Sequence, residues 1–343
     1  MIKYLELFGG IGACSKALER LGVECELVDY VEVDKFACKS FNAIHGTNYE
    51  PQDIRDWDKD VEVDLIMHGS PCQDFSIGGL NRGGDEGSGT RSSLMWETVR
   101  IVRKLKPKVV IWENVKNLLG KAHKHNFDSY LQVMSDMGYS NSYKILNSCD
   151  YGIPQNRQRV FTVSVLENNY LYVFPEGIRL TKFMKDFLDP IVDSRYFIRK
   201  VENIYLTQNY IQYDNVGKGN HSQASRLYYI DSLCPTQPAK NGGDKTQIVL
   251  MNKKQVEELL ANSEDKNSLP VEQQQIARRL TALECWRLMG FDDIDYYRAR
   301  QVNSNIHLYR QAGNSIVVQC LEFIIKNLLP VFNLNEAHQL KGH

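Results

Sequence analysis

A cysteine placed directly behind a proline is the most chemically loaded position in this chain. Gly69-Ser70-Pro71-Cys72-Gln73-Asp74-Phe75-Ser76 follows the apolar run Val63–Met67. That run predicts a buried strand, and the carboxyl end of a parallel strand is where α/β sheets present reactive groups. Pro71 fixes its own φ and biases Ser70 toward an extended shape, so the thiol is held in one direction. A thiolate so placed is a candidate nucleophile. The Gly-rich, polar stretch from Ile77 to Ser93 has the composition of a lid. The competing reading is an inert cysteine in a turn, and it weakens as the other motifs accumulate.

Glu113-Asn114-Val115 follows the apolar Val109-Val110-Ile111-Trp112. A carboxylate at the end of a buried strand is expected to have a raised pKa and to hold a proton near neutrality. Gln155-Asn156-Arg157-Gln158-Arg159 sets two arginines two apart at the entrance to a strand. They are expected to share one face and to suit an anion or a base carbonyl. Leu7-Phe8-Gly9-Gly10-Ile11-Gly12 lies between a strand and a helix, where glycines let a ligand approach the backbone. Glu32, in Val31-Glu32-Val33-Asp34, comes about 20 residues after Gly12, where a carboxylate accepts the ribose hydroxyls of an adenosine cofactor. Asp53, in Gln52-Asp53-Ile54, is placed to take an adenine amino group.

The elements that must position these residues alternate over the first 166 positions. Strands are predicted at Lys3–Phe8, Glu24–Tyr30, Val63–Met67, Val109–Glu113, Tyr143–Asn147 and Arg159–Leu166. Helices are predicted at Ala13–Leu21, from Lys35 to His45, Ser92–Leu105 and Phe127–Met137, with Gly22, Gly46 and Gly138 as stops. This is the pattern of a doubly wound α/β sheet. From 167 to 277 the chain turns rich in Tyr, Asn, Gln and Lys, with weak periodicity, and a smaller irregular domain is expected there. Thr281-Ala282-Leu283-Glu284 is a capping box that reopens regular structure. A last helix is predicted from Ser315 to Leu329, with a loosely held tail at 331–343 behind Pro330.

The 343 residues carry a net charge of −1, with 43% hydrophobic and 24% charged positions. That is the composition of a globular protein with ample core. No apolar run has the length of a membrane span, so a cytoplasmic protein is expected. The eight cysteines are scattered without a CxxC pair, which argues against a zinc site or a disulfide framework and suits a reducing compartment. From residue 78 to 110 seven basic residues (Arg82, Arg91, Arg100, Arg103, Lys104, Lys106, Lys108) face three acidic ones, a local +4. A surface that meets phosphate is the sharper reading, a solvated helix face the plainer one.

Taken in order, these segments resemble the DNA (cytosine-5) methyltransferases of bacteria and phages. The resemblance covers nearly the whole chain outside the irregular region. It implies a Rossmann-like S-adenosylmethionine-dependent methyltransferase domain, residues 1–166 plus 278–330, and a target-recognition domain at 167–277. It implies that Cys72 is the nucleophile, that Glu113 donates to cytosine N3, and that Arg159, with Arg157 beside it, holds the base. It implies that S-adenosylmethionine lies against Phe8, Gly10, Ile11 and Gly12, with Glu32 and Val33 at the ribose and Asp53 and Ile54 at the adenine. Pro71, Leu94, Asn314 and Ser315 complete that set. Gln311-Ala312-Gly313-Asn314-Ser315 resembles the family's last motif, and Arg279-Leu280-Thr281 through Met289-Gly290-Phe291 its ninth.

Gln73, Ser76 and Arg91, at the ends of the mobile loop, are implied to touch DNA. The family's Thr-Leu pair in the variable region has only Pro235-Thr236-Gln237 as a counterpart here, so Thr236 and Gln237 are the expected base readers. The implied partner is double-stranded DNA, with the target base flipped out of the stack. A monomer is expected, with any cognate restriction endonuclease acting independently. With no targeting or chromatin-reading module around the core, a bacterial or phage enzyme that methylates one short site fits best.

Three other readings remain. An RNA cytosine-5 methyltransferase on the same scaffold is distinguished by methyl transfer to tRNA instead of duplex DNA. A catalytically dead DNA-binding relative conflicts with intact Cys72, Glu113 and Arg159. A nicotinamide oxidoreductase shares the Gly loop and Glu32 but leaves Pro71-Cys72-Gln73 without a purpose.

Overall fold

The structure, a computed structural model, describes residues 1–71, 87, 92–167, 169–214, 225–239 and 246–339, the side chains of 272, 273 and 333–339 excepted. It divides into two compact units: Met1–Asn147, Gln158–Gly177 and Ser315–His343 form one, Ser148–Arg157 and Ile178–Asn314 the other.

The first unit opens with β1 (Ile2–Leu7), α1 (Ala13–Arg20), β2 (Cys25–Val31), α2 (Lys35–His45) and β3 (Leu65–His68). It continues with α3 (Met95–Leu105), β4 (Val109–Val115), α4 (Lys124–Asp136) and β5 (Ser140–Asn147). The two-residue β6 (Gln155–Asn156) belongs to the second unit, and β7 (Gln158–Val165) returns to the first. The strands form one sheet in the order β2-β1-β3-β4-β7-β5. The first four are parallel, and β7 is antiparallel to both of its neighbours. The doubly wound α/β expectation therefore stands, with one reversed strand.

Local chemistry explains the boundaries. Asp34 caps α2 by accepting from the Phe36 N–H, and Gly46 ends it at φ 67°. Ser92–Leu94 is a 3-10 turn ahead of α3 rather than the first turn of an α-helix. The core on one face of the sheet joins Leu5, Ile66, Val110 and Trp112 to Val99 and Val102 of α3 and Phe127 and Tyr130 of α4. Two cations of the basic segment engage the neighbouring loop. Arg100 donates to the carbonyls of Ile54 and Trp57, and Lys104 pairs with Asp58. Arg82 and Arg91 lie outside the described residues.

The second unit holds β8 (Tyr205–Leu206), β9 (Tyr210–Gln212), β10 (Arg226–Tyr229), β11 (Cys234–Pro235), β12 (Gln247–Val249) and β13 (Ala277–Arg279). Its helices are α5 (Lys253–Ala261), α6 (Val271–Gln274), α7 (Ala282–Arg287), α8 (Asp293–Val302) and α9 (Asn305–Asn314). Five strands make a sheet in the order β13-β12-β10-β9-β8, and β11 pairs with β6. The region expected to be irregular thus carries a sheet of its own. The compact unit also extends beyond 277, through α7 to α9. The predicted capping box opens α7: Thr281 accepts from the Glu284 N–H, and the Glu284 carboxylate accepts from the Thr281 N–H. The same carboxylate is fully buried and receives the Arg278 guanidinium through two bonds of 2.6 and 2.9 Å.

α10 (Val318–Gln339) closes the first unit and runs through Pro330 instead of stopping before it. Pro330 and Lys326, whose carbonyl loses its helical partner, both lie on the exposed face, so the break falls away from the core. Among the described residues no single helix is long and apolar enough to cross a membrane.

Glu284→Ala strands the buried Arg278 charge, and removal of one partner from such a pair typically costs about 3–5 kcal/mol. A urea unfolding curve of the variant is expected to shift to much lower midpoint, while an unchanged midpoint would show that Arg278 finds other compensation.

Candidate active site

Register brings the strand ends into line. Val31, Leu7, His68 and Trp112 are neighbours across β2, β1, β3 and β4, so the chain leaves four parallel strands at one level. Beyond that level stand Phe8, Gly69 and Glu113. Because β7 runs the other way, it begins where β4 ends, with Arg159 opposite Val115 and Phe161 opposite Glu113. Glu113 and Arg159 are thus diagonal neighbours on one face, within reach of long side chains. The Arg159 Nε lies 3.1 Å from Glu113 Oε1, and both side chains are largely buried. The other carboxylate oxygen faces the β3 turn: a Cβ placed on Gly69 would lie 3.8 Å from Glu113 Oε2.

That turn is braced from β4. The Trp112 indole donates to Ser70 Oγ at 2.9 Å, and the Asn114 amide donates to the Ser70 carbonyl at 3.2 Å. His68 stacks on Trp112, and burial pushes its imidazole down to about 3, so it stays neutral. Pro71 is half-buried at the end of this braced turn. Cys72, Gln73, Ser76 and Arg91 lie outside the described residues, as does most of the Gly78–Ser92 segment.

The glycine loop packs downward and opens upward. Tyr30 donates to the Gly10 carbonyl at 2.6 Å, and its ring stacks on Phe41. A Cβ on Gly9 would meet the Tyr30 ring at 2.6 Å, and one on Gly12 the Phe41 ring at 2.7 Å. Gly12 also holds φ at 82°, a left-handed value that favours glycine. Phe8 is strained at φ 53°. Gly10 meets nothing above it, while Ile11 points into the core.

Glu32 accepts from the Gly10 N–H at 3.1 Å and the Asp34 N–H at 2.8 Å, one on each oxygen, and burial raises its pKa. Val33 beside it is 67% exposed. Asp53 is clamped by Arg55 through both oxygens, which holds its carboxyl below the usual range, and Ile54 is buried. Leu94 packs against the core at the start of α3.

A family model described as C-5 cytosine-specific DNA methylase matches residues 2–329. The chain belongs to that family. It is a DNA cytosine methyltransferase. It is 31% identical to the type II methyltransferase M2.ScrFI of Lactococcus lactis subsp. cremoris, over 96% of this chain and 99% of that protein. It is also 31% identical to the type II methyltransferase M.HhaI of Haemophilus parahaemolyticus, over 95% and 94%. The fold is similar to that of a solved Dnmt2 methyltransferase of S. pombe, with a TM-score of 0.68 at 18% identity, over 96% of this chain and 99% of that one.

Two expectations about this methyltransferase need correction. Arg157 does not form a pair with Arg159 on one strand face, because the strand breaks between β6 and β7. Its buried guanidinium donates instead to the carbonyls of Gln237 and Gly313, at 3.3 and 3.0 Å. Gly313 is packed so closely that a Cβ would lie 2.3 Å from the Pro238 carbonyl oxygen. Gln237 does not present its side chain for base reading. It is 3% exposed, and its amide is engaged by Cys234, Thr246 and Cys285. Thr236 is half-exposed and donates to the Asn156 carbonyl. Asn314 is the exposed last residue of the second unit, and Ser315, which is buried, begins the return to the first.

Sequence reasoning missed the residues that hold the methyltransferase's loops. Asp29, buried in β2, accepts from Trp57, Lys59 and Gln52 and so pins the loop that carries Asp53. Burial opposes its ionisation, but these donors outweigh it and keep the carboxyl low. Glu6, in β1, accepts from the N–H groups of Cys14 and Ser15 and from the Ser15 hydroxyl. It does the work of a helix cap, since Gly12 offers α1 no side chain. Its place under the glycine loop, as an acid between Leu5 and Leu7 of the strand, was the available signal.

Burial pushes the Glu6 carboxyl up from 4.5 to about 7. The folded state therefore resists its ionisation, so the stabilisation it gives is full below pH 4.5 and is lost as the pH rises through about 7. A rise of that size corresponds to roughly 3 kcal/mol. In Glu6→Gln this slope is expected to vanish, so the difference between wild-type and variant urea midpoints should change from pH 5 to pH 8. A difference independent of pH would remove Glu6 as its source.

Proposed function

We propose that this methyltransferase modifies C5 of a cytosine flipped out of double-stranded DNA, with Cys72 as nucleophile and Glu113 and Arg159 as the pair that grips the base. The observation that carries the assignment is the 3.1 Å Glu113–Arg159 contact beside the braced Ser70-Pro71 turn. Cytosine C5 is too weak a nucleophile to be methylated unaided. Addition of the Cys72 thiolate to C6 forms a C–S bond and pushes electron density toward C5. Glu113 donates a proton to N3 as charge develops there and receives the exocyclic amine, while Arg159 donates to O2. S-adenosylmethionine supplies the methyl group. Loss of the C5 proton to a base then restores the ring, and the C–S bond breaks to release Cys72.

The residues present fit that cofactor. The Glu32 oxygens accept from backbone N–H groups, those of Gly10 and Asp34 among them, and a carboxylate's four acceptor sites leave capacity for a ribose hydroxyl. The open space above Gly10 and the exposed Val33 leave room at the ends of β1 and β2. Asp53 and Ile54 serve the adenine, and Phe8, Pro71 and Leu94 supply apolar contact. The strand order reverses between β1 and β3, which makes these loops flank the crevice where open α/β sheets take ligands. We assign target reading to the second unit, and expect one short DNA site methylated by a monomer, with or without a cognate endonuclease.

Duplexes in which 5-fluorocytosine replaces the target base block the last elimination, so wild-type protein should form an adduct that survives denaturation. Cys72→Ala should form none. An adduct with the alanine variant would place the nucleophile elsewhere.

Glu32→Ala is expected to weaken S-adenosylmethionine binding by about 1.5–3 kcal/mol, the worth of hydrogen bonds to a charged group. Calorimetry that finds the affinity unchanged would move the ribose to another acceptor.

A further inference from the structure

β3 ends in a residue that burial does not favour. Leu65, Ile66 and Met67 are apolar, and His68 follows them with none of its surface exposed. Its Nε2 lies 3.3 Å from the Tyr130 hydroxyl, and its Nδ1 meets no hydrogen-bond partner among the described residues. A phenylalanine would fill similar space without leaving a ring nitrogen dry. Burial pushes the imidazole pKa down to about 3, so the ring offers neither a charge nor a useful base near neutrality. It has no surface open to a substrate either.

What His68 does touch is the indole that braces the β3 turn. Residues 68 and 112 are direct partners across β3 and β4, so their side chains stand side by side on one face. The two rings are nearly parallel, 4° apart in plane with centroids at 5.6 Å. Tyr130 closes the set from α4, its ring centroid 4.2 Å from that of the indole and 6.0 Å from that of the imidazole. Trp112 thus packs against two rings that are themselves tied by a polar contact. Its N–H must point at Ser70 Oγ, and a hydrogen bond weakens steeply as its angle closes. Rotation of the indole about its Cβ–Cγ bond would lose that alignment, and a flat neighbour lying along the indole opposes the rotation.

We propose that His68 is a positioning residue: by fixing the plane of Trp112 it keeps Ser70 in place, and with it the turn that leads through Pro71 to Cys72. The inference rests on Cys72 being the nucleophile. Ser70 comes two residues before Cys72 in the chain. Its hydroxyl and its carbonyl are where β4 grips this turn, through Trp112 and Asn114. The Asn114 amide bonds the carbonyl at 3.2 Å and reaches the hydroxyl only at 3.4 Å, so the indole supplies the short bond to the side chain, at 2.9 Å. A nucleophile that must reach one ring carbon depends on such placement, since a misplacement of about 1 Å can slow a reaction by roughly 100-fold.

Bisulfite sequencing of plasmid DNA from an expressing host first defines the methylated site. The test is then the rate at which a duplex carrying 5-fluorocytosine at that site is captured as a denaturation-resistant adduct, in a single turnover with saturating duplex and S-adenosylmethionine. His68→Leu is expected to slow capture by about 10–100-fold, while the affinities for duplex and for S-adenosylmethionine stay at wild-type values. Ser70→Ala, which removes the acceptor of the indole bond, should slow it to a similar extent. Because both changes act through one bond, the double variant is expected to be no slower than the slower single one. Thermal unfolding checks that each variant is folded. His68→Gln, which keeps an amide for the Tyr130 hydroxyl but has no ring to lie beside the indole, carries the test if the leucine variant is not. An unchanged rate in the folded histidine variants overturns the proposal. So does a loss confined to affinity, and so do losses that multiply in the double variant, since they describe independent contributions to packing. Absence of capture by the wild type, or capture by Cys72→Ala, removes the nucleophile assignment and this inference with it, and neither outcome depends on His68.

Discussion

One strand runs backwards, and the meeting of Glu113 with Arg159 depends on it. In a purely parallel sheet every strand would end at the reactive edge and none would begin there. Arg159 is the second residue of β7. Were β7 parallel to β4, Arg159 would stand at the far edge, about 20 Å away at some 3.3 Å per residue. The reversal sets it diagonally across from Glu113 and lets the two meet without a loop to carry either. Groups mounted on paired strands are held more tightly than groups on loops, which suits the grip on a flat base proposed for this pair.

The loops that do carry function are tied down by polar atoms buried within the sheet. Glu6 holds the start of α1, Asp29 holds the segment around Asp53, and Trp112 and Asn114 hold Ser70. Each of these anchors is desolvated, so a loop that strayed would leave it without partners, at a cost of about 1–3 kcal/mol for each bond lost. The core thus supplies rigidity at the edge through hydrogen bonds and not only through packing. The tie from Arg100 to the carbonyls of Ile54 and Trp57 extends the scheme from strands to a helix.

Much of this was legible in the sequence. The alternation of apolar runs and glycine stops placed the strands and helices of residues 1–166 to within a few residues, and Pro71, the Glu-Asn motif and the Gly-rich loop fell near strand ends. Glu113 and Arg159 were visible singly, but their contact was not, because periodicity cannot say which way a strand runs. The second unit was harder. Its strands are two to four residues long, too short for an alternating pattern to register. Arg157 and Gln237 misled for a related reason: a motif names residues that matter without saying whether they face substrate or interior. Pro330 misled because it falls on the exposed face of α10, where a missing hydrogen bond and a displaced carbonyl disturb no packing.

Arg157 and Gly313 illustrate a wider point about evolutionary constraint. The bare α-carbon of Gly313 lets two backbone segments nearly touch, and the Arg157 guanidinium bridges their carbonyls. A side chain at 313 would push the Pro238 carbonyl aside and pull an acceptor away from the arginine. A shorter residue at 157 would leave those carbonyls dry. Neither position is free to drift while the other stays as it is, so selection acts on them as a unit. In a mutational scan both would score as intolerant, with the same profile as a nucleophile or a base-gripping carboxylate. Invariance of that origin records a crossing of chains, and only geometry separates it from chemistry.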